Sequence, residues 1–257
     1  MSIAEATDLR TEVVRLDHVS KQYGSGGNAL LALDKVSLTV RKGEFVCLLG
    51  ASGCGKSTLL SLVAGLDRIS GGTLDIGGRH VSLMFQEAAL FPWLSVAGNV
   101  ELPMRLRGVS KADRRRRGQE LLDIVRLKGF GDKRPHELSG GMRQRVALAR
   151  ALAQNADILL MDEPFGALDA MTRDILHDEL ERIWREQDLT VLFVTHNVRE
   201  AVRLGDRVVL LSSRPGRVIE DFPVTHQRPR RIDSPEVAGQ AAEITDRLRA
   251  EVARHAG

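Results

Sequence analysis

Four short apolar runs punctuate the chain: Phe45–Leu49, Ile158–Met161, Val191–Val194 and Val208–Leu211. None alternates with polar residues, which is the pattern of strands in a parallel sheet covered on both faces. The first run enters Gly50 and a glycine-rich turn, the second ends at Asp162 and Glu163, and the third ends at Thr195 and His196. Ligands of open α/β sheets bind beyond the carboxyl ends of the strands, so these three distant segments are expected at one site. Between the first two runs, Leu90 to Ala153 shows helical spacing and no comparable strand, which predicts an inserted α-helical subdomain. Within it Lys111 and Arg114 to Arg117 read as a solvated helix face, with Leu121, Leu122 and Val125 on the apolar one. After the last run come a turn at Arg214, Pro215 and Gly216 and a proline-containing basic tail around Arg228 to Arg231. Ser234 then offers an N-cap and Pro235 a first helical position, and Val237, Ala241, Ile244, Leu248 and Val252 recur at intervals of three and four, predicting a final helix.

Composition narrows the classes. At 257 residues and 43% hydrophobic, the chain can bury a sizeable core. Its 37 basic against 34 acidic residues are close to balance, which disfavours nucleic acid as the main partner. The two cysteines, Cys47 and Cys54, suit neither a disulfide framework nor a zinc site and point to a reducing, cytosolic setting. Met1 to Val14 lacks the apolar stretch of a secretion signal, and no run approaches the ~20 residues that cross a bilayer. The chain is expected to be soluble, or bound to a membrane only through something else.

Gly50, Ala51, Ser52, Gly53, Cys54, Gly55, Lys56 and Ser57 form a phosphate-binding loop pattern, set between a strand and the helical run Thr58 to Ala64. Its glycines let the backbone curl so that N–H groups face phosphate oxygens, Lys56 is suited to the β- and γ-phosphates, and Ser57 to Mg²⁺. Cys54 lies inside the loop, so thiol modification is expected to block nucleotide binding and ATP to protect it. Asp162 is suited to the magnesium shell, and Glu163 to orienting or deprotonating water. Ser139, Gly140 and Gly141 expose backbone donors at a helix start, which as a lone motif is a helix cap and beside a single phosphate loop is a second anion site that suggests a partner subunit.

These motifs, with Gln86 after Leu83 to Phe85, the Leu138 to Met142 segment, Ala167 to Asp169 and His196, occur in the order of an ABC transporter ATP-binding subunit, which the chain resembles from about Val13 to Val218. The resemblance implies an α/β fold with a P-loop NTPase core, a mostly parallel sheet, an antiparallel β edge and the inserted helical subdomain. It implies a single ABC ATPase domain over 1–257, with core at about 13–89 and 154–220, helical subdomain at about 90–153, and tail and helix at about 221–257. It also implies ATP and Mg²⁺, with Ser57, Gln86 and Asp162 near the metal, Thr58 completing the loop, Tyr23 stacking on adenine, Asp169 linking two sites and His196 on the γ-phosphate. Two subunits, a homodimer being the simpler choice, would close head to tail so that Ser139 to Gly141 of one meet the nucleotide of the other.

Pro164 to Asp169, Asp178 to Leu180, Arg182 to Trp184 and Ser213 to Arg217 further resemble the importer branch serving nitrate, sulfonates or taurine. That branch implies transmembrane permease subunits, an extracytoplasmic solute-binding protein and a place on the cytoplasmic face of the membrane. Phe91, Pro92, Trp93 and Leu94, just after Gln86, are then expected to receive the permease. Two departures stand out. Met142 replaces the usual glutamine, without expected loss of hydrolysis, and Gly71 to Gln86 is short, leaving little chain for a strand hairpin before Gln86. The alternatives are an ABC ATPase acting on nucleic acid or ribosomes, for which a second phosphate loop or a long coiled coil is missing, and a kinase, which leaves Ser139 to Gly141 and His196 unexplained.

Overall fold

A computed structural model of the chain describes residues 11–26 and 29–255. The reading of Met1 to Val14 therefore falls largely on residues outside those described. The strands are β1 (Glu12–Tyr23), β2 (Leu30–Arg41), β3 (Phe45–Leu49), β4 (Gly71–Asp75), β5 (Val81–Met84), β6 (Ile158–Asp162), β7 (Thr190–Val194), β8 (Arg207–Leu211) and β9 (Val218–Pro223). The helices are α1 (Lys56–Val63), α2 (Val96–Leu106), α3 (Lys111–Ile124), α4 (Gly140–Leu152), α5 (Ala170–Gln187), α6 (Val198–Leu204) and α7 (Pro235–His255).

A six-stranded sheet has the order β5-β6-β7-β3-β8-β9, parallel except for β9, and an antiparallel sheet has the order β2-β1-β4. The four apolar runs are its central strands, and their continuity has a direct cause. Phe45, Cys47, Leu49, Leu159, Met161, Val191, Phe193, Val208 and Leu210 point into a core shared with the helices. The residues between them, such as Val46, Leu48, Leu160, Leu192 and Val209, point into a second core shared with α1 and the antiparallel sheet. With both faces dry, the interior of each run has no position for a polar residue, and Asp162, Thr190 and Arg207 stand only at strand ends.

The inserted segment forms α2, α3 and α4 as expected, each started by a serine: Ser95, Ser110 and Ser139 accept from the N–H three residues on. The arginines of α3 are a solvated face, with Arg116 and Arg117 on Glu120 and Arg114 on Glu101. No hairpin precedes Gln86. β4 joins β1 in one sheet and β5 joins β6 in the other, so the short connection through Gly77 and Gly78, both at positive φ, crosses between sheets. The basic tail is a clamp rather than a free surface. Arg230 is buried and donates to the carbonyls of Val202, Arg203, Gly205 and Val224, and burial pulls its guanidinium down to about 10, still charged at neutral pH.

Below the end of β7 lies a buried polar cluster that apolar periodicity does not reveal. Glu200 accepts from the Thr195 hydroxyl and stands 2.5 Å from His177 Nε2, while Arg203 Nη1 donates to His177 Nδ1 at 3.1 Å. A guanidinium only donates, so Nδ1 is the acceptor and Nε2 carries the proton given to Glu200. Arg203 also pairs through its two Nη groups with Asp174 and Asp178. Glu200→Ala leaves His177 and Thr195 without their partner, and a loss of about 2–4 kcal/mol in urea unfolding is expected. A loss under about 0.5 kcal/mol would show that the cluster is not a buried anchor.

Candidate functional site

The phosphate-loop pattern spans the turn from β3 to α1, and its shape is set by close backbone approaches. Gly53 and Gly55 have φ of 76° and 101°, and a Cβ on Gly55 would come within 2.9 Å of the Ala32 carbonyl oxygen. The first turn of α1 has no side-chain cap, so its N–H groups remain for an anion. Lys56 is buried and folded onto its own loop, donating to the carbonyls of Gly50 at 2.8 Å and Ala51 at 3.0 Å. Cys54 places its sulfur 3.8 Å from the Lys56 Nζ as a weak acceptor. Its thiol is 1% exposed beneath Gly50 and burial pushes it up, so the expected thiol block is corrected: a reagent meets neither access nor thiolate. A cavity of about 310 Å³ opens over the loop, with Tyr23, Ser52, Lys56, Ser57, Thr58, Glu163 and Arg214 in its wall.

β6 brings the acids to the same edge. The Ser57 hydroxyl donates to the Asp162 carboxylate, yet burial outweighs this bond and holds Asp162 above the usual carboxylate range. Glu163 turns away with a φ of 45°, its N–H donating to the Val194 carbonyl at 3.0 Å, and its Oε2 lies 2.9 Å from His196 Nδ1. Left-handed backbone at a non-glycine is strained, and here it aims the carboxylate. Gln86 joins them: a Cβ on Gly166 would meet Gln86 Nε2 at 3.4 Å and Glu163 Oε2 at 3.8 Å. The Gln86 carbonyl is held by Gln144 Nε2 at 2.6 Å.

Ser139, Gly140, Gly141 and Asp169 are not in the cavity wall. Ser139 caps α4 from an exposed position, Gly141 leaves no room for a side chain against the Thr172 methyl, and Met142 packs on the helical core. Asp169 caps α5, and its bond from the Thr172 N–H holds it below the usual carboxylate range. Tyr23 donates to Asp67 at 3.1 Å and carries Lys21 over its ring at 4.8 Å from the centroid. The cavity wall also includes Arg214, which the sequence marks only as part of a turn and of the segment resembling the importer branch.

Trp93 is 69% exposed beside Phe91, with ring centroids 5.3 Å apart. Next to it a groove of about 600 Å³ runs between β5 and α2, lined by Leu83, Phe85, Phe91, Leu102 and Leu106. Among the described residues, no helix is long and apolar enough to cross a membrane.

The family profile described as ABC transporter matches residues 33–166. The taurine import ATP-binding protein of Rhizobium johnstonii is 46% identical over 224 residues, 84% of this chain and 86% of that protein. The nitrate import ATP-binding protein of Synechocystis sp. is 45% identical over 223 residues, 84% of this chain and 83% of that protein. Among solved structures, the dimeric post-hydrolysis state of the ATP-binding cassette MJ0796 bound to ADP and Pi has a TM-score of 0.74 at 34% identity, covering 83% of this chain and 100% of that one.

The elevated Asp162 gives a signed expectation. The folded chain holds that proton more tightly than the unfolded chain, so this group lowers stability as pH rises through the window between its ordinary and raised values. Asp162→Asn removes the buried charge, and the nucleotide-free variant is expected to melt higher than the wild type at pH 7. The difference should shrink as pH falls below that window. A lower Tm at pH 7 would mean that the Ser57 bond outweighs desolvation.

Proposed function

Since the chain belongs to the ABC transporter ATP-binding family, we propose that it is the motor of an importer for taurine, other aliphatic sulfonates or nitrate, working as two copies beneath a separate permease. It is an ABC-type ATPase. The observation that carries the site assignment is the convergence of three strand ends: Ser57 on Asp162, and Glu163 on His196, around the cavity that Lys56 lines.

In this reading the loop N–H groups and the α1 terminus take the phosphate oxygens, and the Lys56 ammonium, held on the carbonyls of Gly50 and Ala51, transfers to the β- and γ-phosphates. Ser57 and Asp162 are hard oxygen donors already in contact, a pair that fits Mg²⁺, whose remaining positions water and phosphate oxygens normally fill. Bound there, the ion supplies charge neutralisation for the leaving diphosphate. Glu163 takes a proton from the attacking water while His196 Nδ1 fixes its Oε2. The water oxygen bonds to the γ-phosphorus, and the bridging oxygen leaves with ADP. Gln86, beside Glu163, orients that water, and Tyr23 offers a ring face to adenine. Ser139 to Gly141 and Asp169 act on the nucleotide of the second copy.

The exposed Trp93 and the neighbouring groove support docking of an amphipathic helix of the permease, which puts the chain on the cytoplasmic membrane face through its partner. A solute-binding protein outside the membrane then selects the solute without touching this chain.

Glu163→Gln is expected to bind ATP, form a long-lived two-copy complex and turn over at least about a hundredfold more slowly. Cells lacking the chain should regain uptake of labelled taurine with the wild type and not with this variant. Hydrolysis at the wild-type rate would remove Glu163 as the base, whereas unimpaired uptake without the chain would turn the solute toward nitrate. Trp93→Ala is expected to weaken co-purification with the permease by about tenfold or more, with an unchanged Tm for the isolated variant. Full retention of the complex would place the docking surface elsewhere.

A further inference from the structure

The loop between β8 and β9 is braced against the phosphate loop from every side. Ser212 Oγ donates to the Pro215 carbonyl at 2.7 Å and accepts from Arg217 N–H at 2.8 Å. Gly216 N–H donates to the Ala32 carbonyl and Asp34 N–H to the Gly216 carbonyl, each at 2.9 Å, tying the loop to β2. Gly216 itself lies so close to the Cys54 carbonyl that a Cβ would overlap it. Arg217 adds an ion pair with Asp34 at 2.5 Å.

From this fixed base Arg214 reaches over the phosphate loop, and its Nε donates to the Gly53 carbonyl at 3.1 Å. The side chain is exposed and forms part of the cavity wall with Tyr23, Lys56, Ser57 and Thr58. Among the described residues its two Nη groups have no protein acceptor, although together they carry most of the guanidinium's donors. A charged side chain held at Nε and unengaged at both Nη atoms, at the rim of an anion cavity, is poised for an oxygen-rich ligand.

Topology fixes which end of that ligand it meets. β7 and β6, which deliver His196 and Glu163, lie on one side of β3, and β8 lies on the other. Arg214 therefore enters from the flank opposite the reacting end. That flank is also Tyr23's, because Tyr23 pairs with Leu30 of β2, the strand to which the Arg214 loop is bonded.

We infer that Arg214 is a nucleotide-binding residue whose Nη groups donate to the ribose and α-phosphate end of a bound adenine nucleotide, the end that ATP and ADP share. The inference rests on the ATP site proposed above. It gives the Arg-Pro-Gly turn a function: the proline and glycine shape a rigid ledge, and the arginine completes the wall of the cavity on the base side. Because the contact is made outside the γ-phosphate, it contributes to holding product as well as substrate.

Isothermal titration of the full-length chain with ATP, ADP and pyrophosphate tests this. Arg214→Ala is expected to raise the Kd for ATP and for ADP by the same factor, about tenfold, and to leave pyrophosphate affinity unchanged, with Arg214→Lys in between. Wild-type affinity for both nucleotides in Arg214→Ala would overturn the inference. So would a loss confined to ATP, which would put the guanidinium at the γ-phosphate. An equal loss for pyrophosphate would show that Arg214 only props the loop through Gly53. Lys56→Ala separates this from the underlying reading: it should lose ATP and pyrophosphate together, and wild-type ATP affinity in that variant would instead remove the phosphate-loop assignment.

Discussion

The register of β3 between β7 and β8 is the constraint on which the rest depends. All five residues of β3 are buried, and their side chains alternate between the two cores. A slip of one residue would exchange the faces and drive Phe45 into the space shaped for Val46, so the pairing is specified by packing on both sides. Phe45 stands opposite Val191 and Val46 opposite Arg207, and these pairings fix how far β7 and β8 project beyond the start of the phosphate loop. The positions of His196 and Arg214 relative to Lys56 follow from this, before any polar contact is counted.

A frame of this rigidity permits local arrangements that would be unfavourable alone. Lys56 is a buried ammonium held by two loop carbonyls and the Cys54 sulfur, Asp162 is a carboxylate kept partly from water, Glu163 has left-handed backbone and α1 lacks a side-chain cap. Each of these breaks a local rule of stability, and together they surround one cavity, as expected where function selects the residue and the scaffold supplies the stability. The Glu200 cluster shows how that support reaches the site, since Thr195, which precedes His196, is tied through Glu200 to His177 in α5 and Arg203 in α6. His196 is therefore exposed while the strand end that carries it is anchored on both helices beneath.

The parts legible in the sequence were those with a local signature. Doubly covered strands read as continuous apolar runs, and the phosphate loop, the acidic pair, the Ser139 helix start and α7 each carry chemistry within a few neighbouring residues. The antiparallel sheet was known only as an edge implied by resemblance, because β1 and β2 are interrupted by bulges and polar residues that weaken their alternation. β9 was hidden by its charged residues, which sit on an edge strand. The thiol of Cys54 could not be judged from its place in the motif, since its burial depends on Leu211 and Gly50 packing over it. The reach of Arg214 to Gly53 spans 161 residues of sequence, and no local pattern encodes such a contact.

The segment from Ser139 to Gly141 explains why the proposed motor needs two copies rather than one. In a single chain its exposed serine and helix start lie outside the wall of the cavity that Lys56 lines. Yet they are not independent of the chemistry in their own chain. Gly141 is pressed against Thr172, the Thr172 N–H donates to Asp169, and Gly140 faces Leu168, all three partners lying on the segment that follows Glu163. A substituent at Gly141 has no space, so α4 and the start of α5 behave as one packed unit. Under the proposed arrangement, the surface that a chain offers to its partner's nucleotide is thereby mechanically continuous with the loop that carries its own base. Engagement of one site would then be felt at the other through this packing, which would give the two sites a physical reason to act in concert without any additional element.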